Sequence, residues 1–256
     1  MRDFTLGTYK LLLAHLQDSG RNFYTLEDIC KDKPQDSYVV LRHDVDRKPY
    51  NALRMAKLEN AKGIRSTYYF RITRKVFDPE CIRNISSLGH EVGYHFEDLS
   101  SLHGDIDEAV DSFKRNIEKF RQIVPVSTVS MHGKPLSRFD NKELMKRIDF
   151  GELGLLCEPY SIVEKLDLRY FTDVGRKWNN DSVNLRDKVT GQKGLSLRTT
   201  FDVINALGDE LKDENLMLSI HPERWEDGML PWTKNVVWQS VKNAGKYLLI
   251  KMRHDS

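Results

Sequence analysis

Asp44 and Asp46 stand two apart in the run YVVLRHDVDRKP, Tyr38 to Pro49, where four apolar or β-forming residues lead straight into His43-Asp44-Val45-Asp46. On an extended chain that spacing puts both carboxylates on one side, so one can bind a cation while the other works on a water beside it. Asp46 is the candidate ligand and Asp44 the candidate base. Four further stretches carry similar chemistry: His95 with Glu97 and Asp98 just beyond it, His132, Asp173 and His221. Asp and His ligands together suit a divalent ion of the zinc, cobalt, nickel or iron kind, because imidazole nitrogen favours these ions over magnesium or calcium. Such an ion lowers the pKa of its bound water toward about 7, within reach of a carboxylate base at neutral pH.

These residues all close apolar runs, which predicts the elements that position them. The stretch that begins at Tyr38 reads as a strand ending in His43, Asp44 and Asp46, with Pro49 opening a helix to about Gly63. Ser66–Ile72, His90–His95, Ser127–Met131, Leu153–Cys157, Leu168–Thr172 and Leu216–Ile220 read as further strands. Between them fall helices: one capped by Asp78 and Pro79, one with Ile106, Val110, Phe113, Ile117 and Phe120 on a single face, and one over Phe201–Leu211. Trp232–Leu249 reads as a closing helix. Strand–helix units of this kind predict an α/β fold, a deformed (β/α) barrel of about seven parallel strands, in one domain spanning residues 1–256. A helix at about 5–19, built on Leu6, Tyr9, Leu12, Leu13 and Leu16, flanks it. In parallel strands the carboxyl ends line the ligand crevice, so the His and Asp residues above should meet on one rim. The long polar stretches Gly133–Ile148 and Gly175–Gly194 are expected to shape a substrate groove.

Composition narrows the function classes. Forty basic against 38 acidic side chains, a net charge of +2, leave no footprint for nucleic acid. Cys30, Cys81 and Cys157 are odd in number and widely spaced, so they are expected to stay reduced, as in cytosol. The first 20 residues lack a signal-peptide core, and no stretch reaches the roughly 18 apolar residues of a membrane span, so the expected location is cytoplasmic. HEVGYH places its second His one residue too late for a helical zincin site, and His90 reads instead as the first residue of a strand. Lys48 stands where a calcium loop needs an oxygen ligand. Neither a phosphate loop nor G-x-S-x-G is present.

In order, HDVD, GHEVGYH, the strand end near residue 132, TDVGRKW and SIHP resemble the motifs of the NodB-like polysaccharide deacetylase family, from about Val39 to Trp225. The resemblance implies a metal-dependent deacetylase that hydrolyses an N-acetyl or O-acetyl group on a sugar, with zinc the expected metal and cobalt, nickel or iron as alternatives. It implies Asp44 as general base, Asp46 and His95 as ligands, His221 as general acid and Asp173 as the residue steering it. The family's next ligand, four residues after His95, is replaced here by Leu99, which cannot ligate. His132 is the candidate substitute, ahead of Glu97, Asp98 and His103. The family's third-motif arginine is also missing, which leaves Arg42 or Arg198 to hold the base. His43, Trp178, Arg198 and Tyr94 are the candidate substrate contacts. The expected substrate is a nucleotide- or lipid-linked sugar precursor of surface polysaccharide or lipopolysaccharide. Two rival readings are a fold that has lost catalysis and binds glycans, and a related metal-dependent amide hydrolase.

Overall fold

Strand β2, Tyr38–Val45, is buried along all eight residues and forms the centre of the sheet. The structure is a computed structural model, and it describes residues 1–134, 137–163, 165–178, 195 and 197–254. Its other strands are β1 (Asn22–Tyr24), β3 (Thr67–Phe70), β4 (Glu91–Phe96), β5 (Val129–Met131), β6 (Leu168–Thr172) and β7 (Asn215–Ile220). All pairs are parallel, in the order β5-β4-β3-β2-β7-β6, with β1 on the first part of the β2 edge and β3 on the rest. The helices are α1 (Leu6–Asp18), α2 (Leu26–Lys31), α3 (Pro49–Asn60), α4 (Pro79–Ser87), α5 (Asp98–Ser101), α6 (Ile106–Arg121), α7 (Pro159–Val163), α8 (Thr200–Ala206) and α9 (Met229–His254). A parallel sheet curled in this way, with helices outside it, is a deformed (β/α) barrel, open between β5 and β6.

The pleat sorts the side chains of β2. Val39 and Leu41 face outward into a cluster with Tyr9, Leu12, Leu13 and Leu16 of α1, Met55 of α3 and Val203 of α8. Tyr38 and Val40 face the barrel interior with Tyr69, Tyr170 and Met217. By the same period of two, Arg42, Asp44 and Asp46 continue the interior face upward. The lower end is plugged by α2, whose Thr25–Asp28 capping box fixes its start and whose Leu26 and Ile29 enter the interior cluster. Asp78 caps α4 and Pro79 is its first residue, as the sequence predicts.

Two expectations need correction, and two short elements were not expected. Leu153–Cys157 forms no strand; only Cys157 bridges to Thr128, and Leu156 N–H donates to Ser127 O at 2.8 Å. These residues border the gap in the barrel without closing it. Cys30 and Cys157 form a disulfide, which ties α2 to the edge at β5 and removes the ground for expecting reduced thiols; Cys81 is free and buried. Finally, β1 and α2, of three and six residues, were too short to show a period. Of the two stretches expected to shape a groove, 133–148 holds a 3-10 turn at Asn141–Lys146, and most of 175–194 lies outside the described residues.

Candidate metal and acid–base centre

Asp46 and His132, just past the ends of β2 and β5, come together with His95 near the end of β4. Their ligand atoms all lie within 4.8 Å of one another, with Asp46 Oδ1 3.6 Å from His95 Nε2 and 3.3 Å from His132 Nε2. The register explains the meeting, since His95 sits opposite Ser130 and the next turn of the ladder, His132 N–H to Phe96 O at 2.8 Å, sets His132 beside it.

Each imidazole is oriented by its other nitrogen. His95 Nδ1–H donates to Ser130 O at 3.0 Å, and His132 Nδ1–H donates to Glu97 Oε2 at 3.2 Å, so both Nε2 atoms are left for a metal. Asp46 Oδ1 is buried and has no hydrogen-bond partner. A buried, unanswered carboxylate oxygen beside two oriented imidazoles fits a divalent ion of the zinc type. Burial drives His95 down to about 4, which keeps its Nε2 lone pair available. His132 behaves oppositely: burial lowers it, yet the Asp46 and Glu97 carboxylates outweigh that and lift it to about 9. Glu97, burial notwithstanding, is held at about 2 by His132 and then Arg71, whose Nε donates to its Oε1 at 3.0 Å.

Asp44 lies below this cluster. Arg42 Nε donates to its Oδ1 at 2.9 Å and Arg42 Nη2 to its Oδ2 at 2.8 Å. Burial would raise this carboxyl, but Arg42, followed by His95 and His221, outweighs it and holds Asp44 below the usual carboxylate range. The guanidinium is itself fixed by Ser130 Oγ at 2.6 Å and lies over the Tyr160 ring at 4.6 Å. Of the two arginines named from sequence, Arg42 is the one on Asp44. Arg198 is exposed ahead of α8, where its backbone N–H donates to Asp202.

On the opposite rim His221 Nδ1–H donates to Asp173 Oδ1 at 2.7 Å, and the His221 backbone N–H donates to Oδ2 at 3.1 Å. Trp225 Nε1 adds a third donor at 3.0 Å, and Arg224 a fourth. Burial would raise Asp173, but Arg224 and His221 bring it to about 2. Burial and Arg224 pull His221 down, while Asp173 and then Glu223 outweigh them, so the imidazole is biased toward its protonated form. A turn with left-handed Gly175 and Arg176 lets the chain leave Asp173 sharply.

Three expected substrate contacts are core residues. His43, one place out of phase with Asp44, faces outward, stacks on Tyr68 at 4.2 Å and meets Glu59 Oε1 at 2.7 Å through Nε2. Trp178 is fully buried beside Phe4 and Trp225, with Nε1 donating to Thr200 Oγ1 at 3.1 Å. Tyr94 is buried against Phe96, Phe113 and Phe120, its hydroxyl donating to Asp98 Oδ2 at 2.8 Å. That bond, with Ser112 and Asn116, also occupies Asp98; His103 is exposed, and Leu99 fills core. Sequence reasoning passed over Arg71 and Arg224. Arg71 follows the end of β3 and so carried the positional signal that singled out the other rim residues.

No family model matches the chain, and no curated protein sequence does. Among solved structures it is similar to a CE4 esterase from Streptococcus mutans, at 12% identity over 88% of each chain with a TM-score of 0.48. It is also similar to a family 4 carbohydrate esterase from Bacillus anthracis, at 12% identity over 93% of this chain and 87% of that one, with a TM-score of 0.39. A mutant peptidoglycan deacetylase from Bacillus subtilis, PdaC, shares 14% identity over 83% of this chain and 98% of its own, with a TM-score of 0.38. At such identities and scores these likenesses carry nothing further. The barrel stands on its strand order, and the chemistry on the side chains above.

Proposed function

We propose that this chain is a metal-dependent hydrolase that removes an acetyl group from an amino sugar or a sugar ester. The observation that carries the reading is the shared rim: Asp46, His95 and His132 oriented at one point, Asp44 held ionised by Arg42, and a His221–Asp173 pair alongside. Bound there, a divalent ion such as zinc would acidify a water and polarise an acyl carbonyl. Asp44 accepts the proton of the attacking water, for which a carboxylate kept charged at neutral pH is suited. His221, biased toward the protonated state by Asp173, donates to the departing amine or alkoxide as the bond to the acyl carbon breaks and acetate leaves. Asp173 positions that imidazole and does not touch the reacting atoms.

The reading of a fold without catalysis rested on Leu99. His132 supplies a third donor in its place, which weakens that alternative. Among the described residues no helix is long and apolar enough to cross a membrane.

Metal analysis of the purified protein beside Asp46→Ala and His132→Ala, with acetate release from N-acetylated sugars, tests the proposal. The expected result is one metal per chain, lost together with acetate release in both variants. A parent protein that takes up no added zinc, cobalt, nickel or iron overturns it.

A further inference from the structure

Helix α9 meets the barrel with its polar side. Asn235 Nδ2 donates to Glu223 O at 2.6 Å, and Asn243 Nδ2 donates to Gly175 O at 3.1 Å. Gln239, buried between them on the same face, donates through Nε2 to Asn243 Oδ1 at 2.8 Å. Glu223 and Gly175 each lie two residues past a member of the acid dyad, His221 and Asp173, so this seam of amides fixes α9 beside the rim.

The opposite face is apolar. Leu230, Val237 and Val241 stand seven and then four residues apart, which at 3.6 residues per turn sets them within about 40° of one another. They are 75%, 59% and 61% exposed, and Trp238 beside them is 55% exposed. A helix that only covers a core turns its apolar stripe inward, whereas α9 turns amides inward and the stripe outward. Such a row, bordered by an indole, calls for something that covers it.

Charge selects the occupant. The 26 residues of α9 include no aspartate or glutamate, and Lys234 and Lys242 stand to one side of the apolar row. Of the acidic residues just ahead of the helix, Glu226 is paired with Lys48 and Asp227 with Arg54. A second copy laid on this face would bring lysines against lysines with no carboxylate to answer them. An anionic bilayer surface suits both halves of the face: the leucine and valines enter the acyl boundary, the indole sits at headgroup level, and ammonium groups meet lipid phosphates.

We propose that α9 is an interfacial helix whose outer face docks the barrel on an anionic lipid surface, with the rim beside the membrane plane. The inference goes beyond the deacetylase reading and does not depend on it.

The test is flotation of the whole chain with vesicles of mixed phosphatidylcholine and phosphatidylglycerol, and with vesicles of phosphatidylcholine alone. The parent is expected to bind the mixed vesicles at least about tenfold more tightly, since each lysine at an anionic surface is worth about fivefold. Val237→Gln/Val241→Gln should bind them at least about tenfold more weakly than the parent, because moving two mostly exposed valines out of water is worth more than that factor. Leu156→Gln, at an exposed leucine away from α9, should bind as the parent does. A parent that binds neither kind of vesicle, or a double variant that binds as well as the parent, overturns the proposal. So does a dimer in sedimentation equilibrium that the double variant dissolves, which would assign the face to a second copy. If the double variant melts below the parent, Lys234→Gln decides: weaker binding to mixed vesicles alone supports the docking, and unchanged binding overturns it. Binding is read without acetate release, so failure here leaves the deacetylase reading standing, and failure of that reading leaves the docking.

Discussion

Arg42 grips Asp44 with two parallel hydrogen bonds, Nε to Oδ1 and Nη2 to Oδ2, from two residues earlier on the same strand. Both are buried, so removing the guanidinium strands a carboxylate in the interior. Arg42→Met is expected to cost about 3–5 kcal/mol of stability. With the cation gone, burial pushes the Asp44 carboxyl up, and the base is lost at a higher pH than in the parent. The acid limb of the pH profile for acetate release should shift upward. A profile that merely drops, without moving, would assign Arg42 a structural role alone.

Glu97 bonds the far nitrogen of His132 and is itself held by Arg71. Glu97→Gln keeps the shape but weakens the acceptor that fixes the His132 tautomer. Metal affinity is expected to fall about 10- to 100-fold while the melting temperature changes little. Competitive titration against a coloured chelator reads this directly, and unchanged affinity would remove Glu97 from the centre.

Much of this rim was legible because β2 changes abruptly from apolar residues to His-Asp-Val-Asp, and a parallel sheet sends all such strand ends to one side. The pleat that pairs Asp44 with Asp46 also consigns His43 to the outer face, yet its neighbours in the motif suggested a substrate contact. Trp178 and Tyr94 were misplaced for another reason: an aromatic residue near a motif reads alike whether it lines a groove or fills the core. The Cys30–Cys157 bond spans a sequence separation of 127, and nothing local announces a contact of that range. Arg42 and Arg198 were left equivalent on paper, although the pleat that sets Asp44 and Asp46 on one face also places Arg42, two residues earlier, beside Asp44.

Gly93 lies two residues before His95 on the same face of β4. A Cβ there would stand 2.4 Å from Tyr69 Cε1 and 2.6 Å from Thr128 O, and the second neighbour is backbone that cannot swing away. Gly93→Ala is expected to cost about 1–3 kcal/mol and to lower metal affinity by displacing His95. Gly245→Ala, on α9 with open space around it, should not destabilise the protein. Chemical denaturation of both variants makes the comparison.

The disulfide joins the α2 plug to Cys157, which bridges Thr128 just ahead of β5. By restricting the unfolded chain it should contribute about 2–4 kcal/mol. Cys30→Ser is expected to melt lower than the parent under oxidising conditions and to match it under reducing ones. Identical melting in both conditions would mean the bond does not form.

Glu158 is buried beneath the rim, its Oε1 accepting from Met131 N–H at 3.3 Å and its Oε2 from Ser161 N–H at 3.2 Å. Burial pushes its carboxyl up to about 7, although Arg42 opposes the rise. A carboxyl raised on folding binds its proton more tightly in the native state. Its contribution is therefore complete below the ordinary carboxylate pKa and is lost as pH rises through about 7, a change of up to about 3 kcal/mol. Glu158→Gln carries no such proton and retains one acceptor. Between pH 5 and pH 8 the parent should lose stability relative to this variant, so that the variant melts higher at pH 8 and the advantage shrinks at pH 5. Parallel pH dependences in the two proteins would show that Glu158 ionises normally and that its burial is relieved by solvent.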